Sequence, residues 1–109
     1  MPTRYENDPD SGVVTESRPK QRLQKPRMFK VLLHNDHYTT REFVVAILCE
    51  VFRKTETEAV QIMLHVHHNG MGVAGIYTRD VAETKIQLVE QRAREEEFPL
   101  RLTMEPEDD

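Results

Sequence analysis

The sequence predicts an α+β fold, a compact single domain in which three helices pack on one face of a three-stranded antiparallel sheet. Apolar residues recur at helical spacing in three segments, and three short apolar runs have the length and composition of strands. These segments follow one another in the order β-α-α-β-α-β. At 109 residues, 38% of them hydrophobic, the chain is long enough for one core. We expect this domain to span residues 27–107.

Residues 1–26 have a different composition and predict a flexible N-terminal extension. Four of the six prolines fall here, and no apolar periodicity is sustained. Little apolar burial is therefore available to offset the entropy of ordering this segment. Its start has no apolar stretch typical of a secretory signal, and the longest apolar run, residues 43–49, is too short to cross a bilayer. We expect a cytoplasmic protein with no membrane contact.

The first strand and helix follow directly after this extension. Residues 28–34 form an apolar run that predicts a strand. Thr39, followed three residues later by Glu42, fits a capping box and predicts the start of the first helix. The apolar stripe of this helix consists of Phe43, Val44, Ile47, Leu48, Val51 and Phe52.

The second helix has its own start and stop signals. Thr55 and Glu58 repeat the capping-box spacing, and Asn69-Gly70 is a typical helix end. The face predicted to be buried consists of Ala59, Ile62, Met63 and Val66.

The last three elements complete the sheet. Residues 73–78 predict a strand, and residues 80–96 predict a third helix. Residues 99–104 predict the final strand, which Pro106 should close. The side chains expected to point inward from the third helix are Val81, Ala82, Ile86, Val89 and Ala93, whereas Glu90 and Arg94 should lie on its solvated face.

Charge is unevenly distributed and argues against nucleic acid as a partner. Residues 1–27 carry six Lys and Arg against four Asp and Glu, whereas residues 28–109 carry nine against fifteen. Binding to phosphates needs a basic face, which an acidic domain does not offer.

The most informative motif is the polar stretch that joins the first strand to the first helix. It contains Asn35 and Asp36, and the second helix presents His67 on the same face as Met63 and Val66. A carboxylate, an amide and an imidazole beside an apolar lining suit a cationic, hydrogen-bonding group attached to an apolar one. A free protein N-terminus with a large apolar first residue has this chemistry.

These residues and their order resemble the ClpS family, the adaptors that carry N-degron substrates to a Clp AAA+ unfoldase and its peptidase. The resemblance covers residues 27–104. The motifs that carry it are Asn35-Asp36, Tyr38-Thr39, Glu42-Phe43-Val44, Gln61-Ile62-Met63-Leu64-His65-Val66-His67, Gly75-Ile76-Tyr77-Thr78, Val81-Ala82-Glu83-Thr84-Lys85, Ala93-Arg94 and Pro99-Leu100.

The resemblance implies a pocket for the first residue of a substrate protein. Asn35, Asp36 and His67 would bind its α-amino group and first peptide unit. The implied lining of the pocket consists of Thr39, Arg41, Val44, Met63, Val66 and Leu100. No cofactor and no metal are implied.

Three residues depart from the family pattern. His37 stands where a second Asp is usual, and Thr40 where Pro is common. Arg41 stands where Met is frequent, at a position that shapes the pocket entrance and rejects β-branched first residues. The methylenes of Arg41 can serve as a wall, or its charge can repel the incoming ammonium.

The resemblance also implies how the protein meets its partner. Tyr38, Asp80 and Lys85 match positions where the family docks on the N-terminal domain of the unfoldase, and we expect them to be exposed. Residues 1–26 match the extension that the unfoldase engages during hand-over, in position although not in residue pattern. We expect a monomer.

Other interpretations remain open at this stage. Asn35 and Asp36 can also form an ordinary turn at a helix entry. The two histidine clusters, His34/His37 and His65/His67/His68, allow a small metal-binding or hydrolytic protein. A recognition domain of the kind found in some ubiquitin ligases is a third alternative. No nucleophile with a positioned base is visible, so we expect no enzyme activity.

Overall fold

The computed structural model describes residues 25–108, and the prediction of a flexible extension falls almost wholly on residues 1–24, which lie outside this range. The predicted order of elements is confirmed. The elements are β1 (Met28–His34), α1 (Arg41–Glu50), α2 (Glu56–Asn69), β2 (Met71–Thr78), α3 (Arg79–Glu95) and β3 (Arg101–Pro106).

The central strand of the sheet is β1, which pairs antiparallel with both β2 and β3. Val31 lies opposite Gly75 on one side and Met104 on the other. The register of β1 with β2 shifts between Val31 and Leu32, which adds one residue to β2. The predicted three-stranded antiparallel sheet is therefore confirmed, with the strand that precedes the Asn35-Asp36 motif at its centre.

The core lies between the helices and one face of the sheet. Val31 and Leu33 of β1 are fully buried there, and α3 packs across all three strands. α2 contacts both α1 and β2. The other buried members of this cluster are Ile47, Leu48, Val51, Phe52, Ala59, Val66, Ala74, Ala82, Val89, Ala93, Leu100 and Leu102.

The two predicted capping boxes have different outcomes. At α2 the prediction is right: the Thr55 hydroxyl accepts the N–H of Glu58, and the Glu58 carboxylate accepts the N–H of Thr55. At α1 the prediction is wrong by one residue. Thr40 is the N-cap, and its hydroxyl accepts the N–H of Phe43 at 3.1 Å. The cap shifts because Thr39 forms hydrogen bonds with Asp36 instead.

The end of α2 and the start of β2 are joined by a single residue. Gly70 ends the helix in the left-handed conformation, with φ of 91°. β2 then begins at Met71, two residues before the predicted start, and includes Gly72. A β-carbon at Gly72 would lie 3.0 Å from the Cγ2 atom of Val66. Glycine therefore allows α2 and β2 to pack closely at this point.

The third helix and last strand differ from prediction in detail. Val81 is expected to point inward but is 43% exposed, because the inner face of α3 runs through Ala82 and Val89. Glu90 is not on the solvated face: its carboxylate accepts the N–H of Leu102 at 3.0 Å. Pro106 is the last residue of β3 instead of following the strand. None of the helices in residues 25–108 is long and apolar enough to span a membrane.

We expect the substitution Gly70→Ala to lower the free energy of unfolding by about 1 kcal/mol. An alanine at a positive φ loses energy through its own backbone sterics. No atom lies within 4 Å of the added β-carbon, so the cost should be conformational and not a clash. Urea denaturation measures it. Gln61→Ala, at an exposed position in the middle of α2, should change stability by less than about 0.5 kcal/mol. Equal stability of the two variants would contradict this account of the helix end.

Candidate functional site

A cavity of about 590 Å³ lies where the end of β1, the start of α1 and the second half of α2 meet. The residue before β3, Leu100, closes one wall. This cavity brings together the predicted binding and lining residues, which are Asn35, Asp36, Thr39, Arg41, Val44, Met63, Val66, His67 and Leu100.

Sequence reasoning missed six residues of the lining. They are Leu33, His34, His37, Tyr38, Thr40 and Glu42. All belong to one continuous stretch around Asn35-Asp36. Their position next to this motif was the signal that could have identified them as lining residues. The family resemblance assigns Tyr38 to the docking surface. Tyr38 lines this cavity and is also 75% exposed, so it is accessible from outside.

Asn35 is positioned by its backbone. Its N–H donates to the carbonyl of Gly70 at 2.9 Å. This hydrogen bond joins the end of β1 to the end of α2, one turn beyond the backbone of His67. Asn35 is exposed, so its side-chain amide can reach a ligand from solvent.

Asp36 folds the loop back on itself. One carboxylate oxygen accepts the N–H groups of Tyr38 at 2.8 Å and Thr39 at 2.7 Å. The other oxygen accepts the Thr39 hydroxyl at 2.8 Å. Burial acts to raise the pKa of Asp36, but the hydrogen bonds from Thr39 and Tyr38 and the nearby His37 lower that pKa below its ordinary value of 3.8. Asp36 is therefore a fixed negative charge at neutral pH.

The ring of His67 lies beside a cationic side chain in this structure. Its Nε2 atom lies 3.4 Å from the Nη2 atom of Arg41, which reaches across the cavity from the first turn of α1. A guanidinium only donates, so Nε2 must be unprotonated to accept. Arg41 thus lies within reach of the acceptor that the family resemblance assigns to the substrate amine.

The opposite part of the cavity is apolar. Val66 and Leu100 form its deepest walls, with 5% and 6% of their surfaces exposed. Val44 and Met63 are half-buried and complete it from α1 and α2. Methionine is unbranched and flexible, which suits a wall that adapts to different apolar groups.

The cavity can bind a cation and an apolar group at the same time. The polar end offers the carboxylate of Asp36 and the amide of Asn35, and the apolar end offers the side chains of Val66 and Leu100. This combination of a fixed charge and an apolar wall suits non-covalent binding.

The other two residues predicted to dock on the unfoldase lie outside the cavity. Asp80 is exposed in the first turn of α3. Lys85 is expected to be exposed but is half-buried. Its ammonium donates to the carbonyl of Val51 at 2.7 Å and lies 5.1 Å from the centroid of the Tyr77 ring. Lys85 therefore also holds the end of α1 in place.

The histidines give no support to the metal-binding alternative. Residues 25–108 contain no group of three or more His, Cys, Asp or Glu side chains arranged to hold a metal ion. His65 pairs with the side chain of Asn69 at 3.1 Å, and the rings of His67 and His68 meet edge to face.

The fold and the cavity define a small α+β domain built around one half-polar, half-apolar site. The family model described as ATP-dependent Clp protease adaptor protein ClpS matches residues 24–103, and the chain belongs to this family. The resemblance read from the sequence is confirmed, and with it a role as an adaptor of the Clp protease.

Relatives and a solved structure agree with this assignment. The ATP-dependent Clp protease adapter protein ClpS of Myxococcus xanthus is 72% identical over 99 residues, which cover 91% of this chain and 92% of that protein. The ClpS of Nitratidesulfovibrio vulgaris (strain Miyazaki F) is 59% identical over 97 residues, 89% of this chain and 97% of that protein. The structure of Agrobacterium tumefaciens ClpS2 bound to L-phenylalaninamide superposes with a TM-score of 0.73 at 42% identity, covering 76% of this chain and all of that one.

We expect the stabilising effect of Asp36 to disappear in acid. Because its pKa is lowered in the folded protein, the ionised carboxylate adds stability that is present above pH 3.8 and is lost as the pH falls through the folded-state pKa. The difference in unfolding free energy between the wild type and Asp36→Asn should be constant above about pH 5 and shrink below pH 3.8. Urea denaturation across this pH range measures it. A difference that does not depend on pH would show that the Asp36 charge does not stabilise the loop.

Proposed function

We propose that this protein is a non-enzymatic adaptor that binds the free, large hydrophobic N-terminal residue of substrate proteins and delivers them to a Clp AAA+ unfoldase-peptidase. The observation that carries this proposal is one cavity with a fixed carboxylate at one end and an apolar interior at the other. L-Phenylalaninamide, the molecule bound to ClpS2 of Agrobacterium tumefaciens, combines a free α-amine with an apolar side chain, which supports the same chemistry here.

The polar end of the cavity suits an α-ammonium group. An ammonium offers only donors, and the Asp36 carboxylate and the Asn35 amide oxygen are acceptors. His67 becomes a third acceptor when Arg41 releases its Nε2 atom. Charge-assisted hydrogen bonds contribute about 1.5–3 kcal/mol each. The amine is therefore the group that should decide whether a peptide binds.

The apolar end suits a side chain of the size of leucine or phenylalanine. Burying such a side chain against Val66 and Leu100 contributes roughly 1.5–3 kcal/mol. Association itself costs about 4–15 kcal/mol, so only the surplus of these contributions over that cost appears as affinity.

Delivery requires a second surface. We place the contact with the N-terminal domain of the unfoldase at Tyr38, Asp80 and Lys85. Residues 1–26 would be engaged by the unfoldase during hand-over. We propose that the protein works as a monomer in the cytoplasm, without a cofactor, and binds neither nucleic acid nor membrane.

A Phe- or Leu-initiated peptide should bind, and the same peptide with an acetylated N-terminus should not. Acetylation removes the positive charge and two donors, so Asp36 and Asn35 would be left facing a neutral amide. Fluorescence anisotropy with labelled peptides measures the two affinities. Asp36→Ala should be among the most damaging substitutions, whereas the exposed Asp108→Ala should bind like the wild type. Equal affinities for the free and acetylated peptides would eliminate the proposed site.

The substitution Arg41→Met should tighten the binding of Leu- and Phe-initiated peptides by up to about tenfold, roughly 1.4 kcal/mol. It removes a charge that repels the ammonium and frees the Nε2 atom of His67. If the gain in affinity comes from removing the charge of Arg41, it should shrink at high salt. If it comes from the changed shape of the pocket entrance, it should persist. Rejection of Ile- and Val-initiated peptides should become sharper. Arg94→Met, on the exposed surface of α3, is the matched control. Unchanged affinities and ranking in Arg41→Met would mean that Arg41 does not act in the site.

Deletion of residues 2–25 should leave peptide affinity nearly unchanged and abolish the degradation of an N-degron reporter by the unfoldase-peptidase. The cavity is built entirely from residues between 33 and 100, so the deletion removes none of its lining. Reporter degradation in a reconstituted system measures delivery. Full-rate degradation with the shortened protein would contradict a role for the extension in hand-over.

A further inference from the structure

A second groove lies beside the candidate site, between α1 and α2. It has a volume of about 510 Å³. Its lining consists of Arg41, Glu42, Val45, Ala46, Cys49, Glu56 and Met63. Arg41, Glu42 and Met63 also line the first cavity, so the two depressions share a wall.

The floor of this groove is apolar. Val45, Ala46 and Cys49 lie on one side of α1 and contribute most of this floor. Met63 faces them from α2. Such a surface suits the methylene chain of a long side chain, which gains from burial of its stem while its head stays in water.

The rim of the groove carries more negative than positive charge. Glu42 and Glu56 are both exposed, and the ion pairs found in residues 25–108 include neither of them. Arg41 is the one cation of the lining, and its guanidinium lies 3.4 Å from His67 in the first cavity. Both glutamates occupy the first turn of a helix.

We propose that this groove binds a lysine or arginine side chain at the second or third position of the substrate, an inference that rests on the proposed function. Neighbouring Cα atoms lie about 3.8 Å apart, so the residues after the first one stay close to the shared wall. A basic side chain can lay its methylenes on Val45 and Ala46 and bring its charge near Glu56. A glutamate at the same position meets repulsion from both rim carboxylates.

A peptide panel tests this proposal. All peptides begin with phenylalanine and carry Lys, Ala or Glu at the second position, or at the third. The peptide with lysine should bind about two- to fivefold more tightly than the peptide with alanine, a small factor because exposed ion pairs contribute little. The peptide with glutamate should bind more weakly than the peptide with alanine. The preference should fall at high salt. Glu56→Gln should remove the advantage of lysine, and Glu56→Lys should reverse the order in favour of glutamate. Glu95→Gln, at the far end of α3, should keep the wild-type order.

The outcomes separate this inference from the proposed function. If the Lys, Ala and Glu peptides bind equally well to the wild type, the groove is not a subsite. Because all three peptides still bind, the adaptor function is not contradicted by this result. A lysine preference that survives in Glu56→Gln also overturns the groove as a subsite. If the N-acetylated alanine peptide binds as well as the free one, the proposed function itself fails. The peptide panel on the wild type requires no variant. It therefore decides the question even if one of the Glu56 variants does not fold.

Discussion

The candidate site depends on where the central strand ends. β1 pairs with both other strands and buries Val31 and Leu33 completely, so a slip of one residue would turn these side chains away from the core. The next N–H group, that of Asn35, donates to the carbonyl of Gly70 and ties the strand end to the end of α2. The burial of Val31 and Leu33 fixes the register of β1, and the hydrogen bond of Asn35 then holds the loop near His67. The hydrogen bonds from Tyr38 and Thr39 to Asp36 then fold the loop that forms the polar end of the cavity.

Sequence reasoning succeeded where the decisive interactions were local. The capping box of α2 joins Thr55 and Glu58 within one turn, and both of its hydrogen bonds are present. At α1 the same reasoning failed because the N–H and the hydroxyl of Thr39 both donate to the carboxylate of Asp36. The start of β2 was missed for a different reason. Glycine usually weakens a strand, but at Gly72 it permits the close packing of α2, which no pattern along the chain reveals.

The site shows the same division. Nine of its fifteen lining residues could be named through the family resemblance, because they belong to motifs that stand in order along the chain. Contacts between distant elements could not. The approach of Arg41 to His67 spans two helices, and the hydrogen bond from Lys85 to the carbonyl of Val51 joins α3 to the end of α1. Both involve long, flexible side chains whose direction depends on tertiary packing. The groove between α1 and α2 was likewise invisible in the sequence.

The contact between Arg41 and His67 places a cation of the protein itself in the cavity. The guanidinium is an intramolecular pseudo-ligand that occupies an acceptor suited to cations. A group that needs the same acceptor binds only the fraction of molecules in which this contact is open, and its apparent affinity is scaled by that fraction. A group with an amine replaces the lost hydrogen bond with one of its own, whereas an uncharged apolar group offers no replacement. Where a group can enter only by opening this contact, Arg41 therefore favours amines over uncharged apolar groups.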